Sequence, residues 1–204
     1  MKSKKLNRLR EAMAAADLPL QKTATNLVFG EGDPSAKLFF IGEAPGKKED
    51  LSGRPFVGSA GKHLDALFDS IGLARGDVYI TSLLKYRPPN NRCPTRPEIE
   101  AHTIFLIKQV LIVNPQMIVP LGNFATRFVL SGFAIDKMSG VPGISTLHGK
   151  AVKMNLDHRQ FLVFPLYHPA AVLYNFGLKK TLFRDFKSLN KLLGLSTPKR
   201  RKIQ

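Results

Sequence analysis

Four short apolar runs, at 37–42, 78–82, 116–121 and 161–166, alternate along this chain with helical patterns near 60–72, 98–113, 123–131 and 179–193. That alternation is the tightest constraint on the fold. Brief, continuous apolar runs suit strands buried on both faces, and strands separated by helix-length segments pair in parallel through crossovers. In the second helical pattern Ile99, Thr103, Leu106 and Val110 recur near the helical period, with Pro97 at its start. The expectation is an α/β fold of three α/β/α layers around a central four-stranded parallel sheet. Residues 1–196 read as a single domain, opened by a basic helix within 1–14. A basic tail at 197–204 holds Lys199-Arg200-Arg201-Lys202.

Composition narrows the class. At 204 residues the chain can bury a substantial core, and a hydrophobic fraction of 44% excludes a disordered protein. Charge is the unusual quantity: 31 Lys and Arg against 15 Asp and Glu give a formal +16. Such an excess points to a polyanion, nucleic acid before a membrane surface, with an ordinary solvated basic surface as the plainer reading. The single Cys93 excludes an internal disulfide and any cluster built on several thiolates. No apolar stretch approaches the roughly 20 residues of a membrane span. Arg8, Arg10 and Glu11 break up the first segment, which therefore does not read as a signal peptide. A cytoplasmic, nucleoid-associated protein without a membrane partner is expected.

Open parallel sheets bind ligands at the C-terminal ends of their strands. Four segments converge there: 42–58, 81–92, 122–123 and 167–175. The first contains Gly42-Glu43-Ala44-Pro45-Gly46, Glu49-Asp50 and Gly53-Arg54-Pro55-Phe56-Val57-Gly58. Its glycines permit close backbone approach, Pro45 stiffens it, Phe56 offers a flat face and Glu43 a carboxylate. Such a pocket suits a planar polar ring; a structural turn capped by Glu43 is the alternative. The second segment, Lys85-Tyr86-Arg87-Pro88-Pro89-Asn90-Asn91-Arg92, sets three cations on a rigid corner suited to phosphate, or is an ordinary surface loop.

The third segment, Gly122-Asn123, opens a helix, where free amides attract phosphate; every strand–helix junction shares that signal. The fourth is Tyr167-His168-Pro169-Ala170-Ala171-Val172-Leu173-Tyr174-Asn175. It holds a His at a strand end, fixed by the following Pro, and an apolar stretch able to wedge into a base stack. His63, His102, His148 and His158 lack such a setting, and no clustering with Asp, Glu or Cys defines a metal site.

In this order the motifs resemble the uracil-DNA glycosylase superfamily, most closely its family 4. Val78-Tyr79-Ile80-Thr81 and the upstream Thr25-Asn26-Leu27-Val28-Phe29-Gly30-Glu31-Gly32 also match, so the likeness spans residues 15–192. The resemblance implies a monomeric, monofunctional enzyme that hydrolytically excises uracil from DNA and so initiates base excision repair. The nucleotide would flip from the duplex into a pocket formed by Gly42, Ala44, Phe56 and Ser82, with Phe56 stacked on the base. His168 would donate to the base oxygen that gains negative charge, and Glu43 would position the attacking water or fix the pocket backbone. Other branches carry Asp at the place of Ala44, a carboxylate unavailable here. Arg87, Pro88, Asn91, Arg92, Gly122, Asn123 and Ala170 would hold DNA, while Leu173 and Tyr174 would fill the gap left by the flipped base.

Two departures from the family pattern stand out. Family 4 holds an iron–sulfur cluster on four cysteines; counting along the motifs places Ala15, Leu18, Tyr86 and His102 at those positions. The expectation is therefore an enzyme with no cofactor. Ser82 stands where the family has Asn, replacing an amide that is donor and acceptor together with one rotating hydroxyl. That exchange keeps two alternatives open, a glycosylase for another deaminated base (hypoxanthine or xanthine) and a catalytically inactive DNA-binding homologue. Monofunctional chemistry follows from the absence of a Lys at the motif positions that could form a Schiff base, a route that Lys47 and Lys85 keep open.

Overall fold

The computed structural model describes residues 1–194; the tail expected at 197–204 lies outside the described residues. The chain opens with helix α1 (Lys2–Ala15), the short edge strand β1 (Glu31–Gly32) and strand β2 (Leu38–Gly42). Helices α2 (Lys47–Ser52) and α3 (Ser59–Asp69) lead to β3 (Tyr79–Ser82), α4 (Arg96–Val113), β4 (Met117–Pro120) and α5 (Asn123–Leu130). After α6 (Ile144–Leu147) come the hairpin β5 (Val152–Leu156) and β6 (Arg159–Val163), then α7 (Ala171–Tyr174) and α8 (Leu178–Leu192). No helix among the described residues is long and apolar enough to cross a membrane.

The sheet has six strands in the order β1-β3-β2-β4-β6-β5. Its four central strands run parallel, as the apolar runs imply, and both edge strands are antiparallel additions. Every residue of β2, β3 and β4 is buried, because helices cover both faces. Alternation along the strand divides the core in two. Phe39 and Ile41 join Tyr79, Ile118 and Val163 under Met13 of α1, Leu106 of α4 and Phe128 of α5. Leu38 and Phe40 join Ile80 and Val119 under Leu64 and Phe68 of α3 and Phe186 of α8. Phe40 meets Phe68 edge-on at 5.0 Å and stacks on Phe186 at 6.2 Å. Truncating it to Ala would cost about 3–5 kcal/mol through the cavity left behind.

Helix α4 starts on a capping box, in which the Thr95 N–H donates to Glu98 Oε2 at 2.7 Å, and ends at Asn114 in the left-handed region (φ 46°). Strand β6 begins two residues before the expected run at 161–166. A tight turn through Asp157 (φ 49°) and His158 (φ 58°) starts the pairing with β5 there.

Candidate active site

Parallel pairing of β2 with β3 sets Gly42 beside Ser82, and the chains stay joined beyond the strands. Leu83 N–H donates to Gly42 O at 2.9 Å and Leu84 N–H to Glu43 O at 3.0 Å. On the other side Leu121 N–H donates to Ile41 O, and Gly122 N–H to Leu166 O, each at 2.8 Å. These bonds draw the start of α5 and the His168 segment onto one rim. A cavity of about 190 Å³ opens there, lined by Ala44, Gly46, Glu49, Phe56, Ala60, Ser82 and His168.

Phe56 is held in a strained backbone conformation (φ 52°), worth about 1–3 kcal/mol for a non-glycine residue. Two side chains from elsewhere hold it. Arg75 Nη1 donates to Phe56 O at 2.9 Å and its Nη2 to Pro55 O, while its guanidinium also pairs with Glu31 and Asp65. Glu49 Oε1 accepts from Val57 N–H at 2.8 Å and Gly58 N–H at 2.7 Å. Below the ring lies Gly42: a Cβ there would stand 2.6 Å from Phe56 Cζ and 3.2 Å from Ser82 Oγ. The glycine is what lets the aromatic plate lie across the strand end.

His168 stands with its ring centroid 5.8 Å from that of Phe56, the planes tilted by 31°. Its Nδ1 accepts from Ala170 N–H at 3.2 Å, which places the ring proton on Nε2 as a donor. Burial pushes the imidazole down to about 4, only partly opposed by the Glu49 charge, so it is neutral at physiological pH. Gly122, at φ 94°, leaves space for it: a Cβ there would meet His168 Cβ at 3.1 Å.

The other expected residues divide. Glu43 is half-buried, with its carboxyl raised by that burial, but Glu49 rather than Glu43 lines the cavity. Lys85, one of the three loop cations, is fully buried; its Nζ donates to Thr81 Oγ1 and to Ser82 O. With no carboxylate partner among the described residues, burial drives its pKa well below the lysine range. Neither Lys85 nor the exposed Lys47 lines the cavity.

Arg92 forks onto Glu98 of α4, and Arg87 Nε donates to Asn91 Oδ1 at 2.8 Å beside the buried Pro88. Asn123 Oδ1 accepts from Ile144 N–H at 3.0 Å. Leu173 and Tyr174 project from α7, 54% and 90% exposed. Sequence reasoning passed over Glu49 and Arg75 as positioning groups. A glutamate in the first turn of α2 was the available signal for Glu49; Arg75 offered none, since it grips two backbone carbonyls and two carboxylates distant along the chain.

A family model described as the uracil DNA glycosylase superfamily matches residues 29–192. The chain is 44% identical to the type-4 uracil-DNA glycosylase of Archaeoglobus fulgidus, over 93% of this chain and 94% of that one. It is 43% identical to the type-4 enzyme of Sulfurisphaera tokodaii, covering 93% and 84%, and 43% identical to that of Thermotoga maritima, covering 77% of each.

These names overturn the expectation of an enzyme without a cofactor, because type 4 is the iron–sulfur branch of the superfamily. The side chains of this chain do not fit a four-thiolate cluster. Cys93 is exposed and is the one cysteine of the sequence, and no three His, Cys, Asp or Glu side chains gather among the described residues. At two of the compared positions the buried rings of Tyr86 and His102 pack edge-on, 6.0 Å apart. The rim motifs, the family match and relatives at 43–44% identity lead to one conclusion: the chain belongs to the uracil-DNA glycosylase superfamily.

Proposed function

We infer that this protein excises uracil from DNA by hydrolysing the N-glycosidic bond. The observation that carries the reading is the neutral His168, with its proton on Nε2, facing Phe56 across the rim cavity. Water adds its oxygen to C1′ of the deoxyribose, the bonding electrons leave with the base, and a proton ends on the departing base. Negative charge gathers on the base oxygen in the transition state. A preset N–H donor in a dry pocket stabilises that charge without reorganisation, and losing such a donor costs about 10²–10³-fold in rate. Stacking on Phe56 contributes about 1–3 kcal/mol and tolerates any base, so Ser82 and the backbone at Gly42 and Ala44 read the edge. Glu43 orients the water, and Glu49 keeps the Phe56 turn in place.

Arg87, Pro88, Asn91, Arg92, Gly122, Asn123 and Ala170 follow the phosphates, while Leu173 and Tyr174 fill the gap left by the flipped nucleotide. The working unit is a monomer of one domain, residues 1–196, with its basic tail at 197–204. It acts on chromosomal DNA in the cytoplasm, at the nucleoid, and not at a membrane.

The test uses labelled oligonucleotides carrying uracil, hypoxanthine or xanthine, in EDTA, with abasic sites revealed by alkaline cleavage. Uracil should yield product, reduced at least about a hundredfold by His168→Ala. Tight binding without product from any base would overturn the enzymatic reading. Product from hypoxanthine or xanthine alone would move the specificity, the alternative that Ser82 keeps open because its hydroxyl replaces an amide.

A further inference from the structure

At the opposite end of the strands from the rim, an open groove of about 730 Å³ separates the start of α1 from the C-terminal end of α4. Asn114, just before β4, and Arg159, at the start of β6, mark its position. Five cations border it: Lys2, Lys5, Arg8, Lys108 and Arg159. No acidic side chain lines it. Lys2 Nζ donates to Val113 O at 2.6 Å, and Arg159 Nη1 reaches Asn114 Oδ1 at 3.4 Å. Lys5, Arg8 and Lys108 are exposed and have neither an ion pair nor a side-chain hydrogen bond among the described residues. Leu9, Leu111 and Ile112 give the groove apolar walls.

We propose that this groove docks a segment of a partner protein that is acidic and carries apolar anchors. Cations without counter-charges repel one another, and carboxylates laid across them relieve that repulsion while steering the encounter. Apolar walls between the cations accept a Leu or Phe side chain, the kind of anchor around which short segments bind. A DNA backbone would satisfy the cations but leave the apolar walls unused. The groove also lies away from the rim on which the catalytic side chains sit, so docking and base excision can proceed together.

The probe is a short fluorescein-labelled peptide of Asp and Glu carrying one Leu and one Phe, titrated with the full chain and followed by anisotropy. Saturable binding is expected, weakened at least about tenfold in the triple variant Lys5→Glu, Arg8→Glu, Lys108→Glu. Removing Leu and Phe from the peptide should weaken it similarly, while uracil excision by the variant stays at the wild-type rate. Unchanged binding by the variant would overturn the proposal, as would equal binding of the all-acidic peptide. Displacement by uracil-free duplex or by phosphatidylserine vesicles would also overturn it, reassigning the face to nucleic acid or lipid. So would a wild-type dimer, seen in sedimentation, that the triple variant dissolves. Should the triple variant misfold by circular dichroism, Lys108→Gln alone decides: it must weaken the anchored peptide about threefold, and no change refutes the idea.

Discussion

Acidification to pH 5.5 should leave His168 able to work. Burial holds its imidazole at about 4 against an ordinary value of 6.5, a difference worth about 3 kcal/mol between the protonation states. At pH 5.5 a group titrating at about 4 is about 97% neutral, whereas one titrating at 6.5 is about 9% neutral. The two cases differ about tenfold in active enzyme. The assay is the single-turnover excision rate from pH 4.5 to 8, together with NMR of the histidine Cε1–H signals assigned through His168→Gln.

Burial raises the Glu43 carboxyl above its ordinary value, so the profile is repeated in Glu43→Gln, which removes that titration from the acid limb. Stability moves in the same window. The unfolded chain binds more protons than the folded one between pH 6.5 and about 4, so stability falls as pH drops through that range. His102, buried and also at about 4, adds a comparable loss of about 3 kcal/mol. Circular dichroism at each pH separates unfolding from protonation. A His168 signal titrating between 6 and 7, with the Glu43→Gln rate falling tenfold by pH 5.5 in folded protein, would refute the buried neutral donor.

Three further outcomes follow from other contacts. Gly42→Ala puts a methyl 2.6 Å from Phe56 Cζ, so the ring must move into the cavity. We expect kcat/KM to fall at least about tenfold with a stability cost of about 1–3 kcal/mol by urea titration; an unchanged rate would show that the ring has room. Arg75→Lys loses the fork that grips Pro55 O, Phe56 O, Glu31 and Asp65, and should cost about 2–4 kcal/mol in chemical denaturation. A loss below 1 kcal/mol would mean that Glu49 alone holds the turn. Lys85→Met removes a buried cation whose folded pKa lies well below its unfolded value. Wild-type stability should therefore rise between pH 8 and 10 relative to Lys85→Met, by up to about 1.4 kcal/mol per pH unit. Parallel curves would show that Lys85 titrates normally.

The central sheet was legible because apolar runs of strand length, buried on both faces, leave no other assignment. Its edges were not. Strand β1 is Glu31 and Gly32, whose pairing rests on backbone geometry: a Cβ at Gly32 (φ 121°) would stand 1.8 Å from Val78 O. Strand β5 carries a readable alternation in Val152, Met154 and Leu156, but its turn through Asp157-His158 lacks the glycine that usually signals a hairpin. The basic loop shows that composition leaves burial and pairing unread. Of Lys85, Arg87 and Arg92, the first is sealed behind Ser82 and the third is bound to Glu98 as part of the start of α4. Sequence counts three positive charges there; burial and pairing decide what each one touches.

Residues that line the rim cavity announce themselves by type, as an aromatic, a histidine and a small polar residue at strand ends. The groups that fix them do not, because their partners are main-chain atoms or carboxylates distant along the chain. Glu49 accepts two backbone N–H groups and Arg75 donates to two backbone carbonyls, so neither pairing leaves a side-chain pattern to read. Yet those four bonds hold Phe56 at φ 52°, a conformation that is unfavourable when left to itself. Phe56→Gly relaxes the turn, returning about 1–3 kcal/mol, but removes a ring only 6% exposed, whose loss costs about 3–5 kcal/mol, so the variant should be both less stable and slower. A less stable variant would show that the ring's burial outweighs the strain it imposes. Greater stability with a slower reaction would refute that balance and identify strain maintained for function.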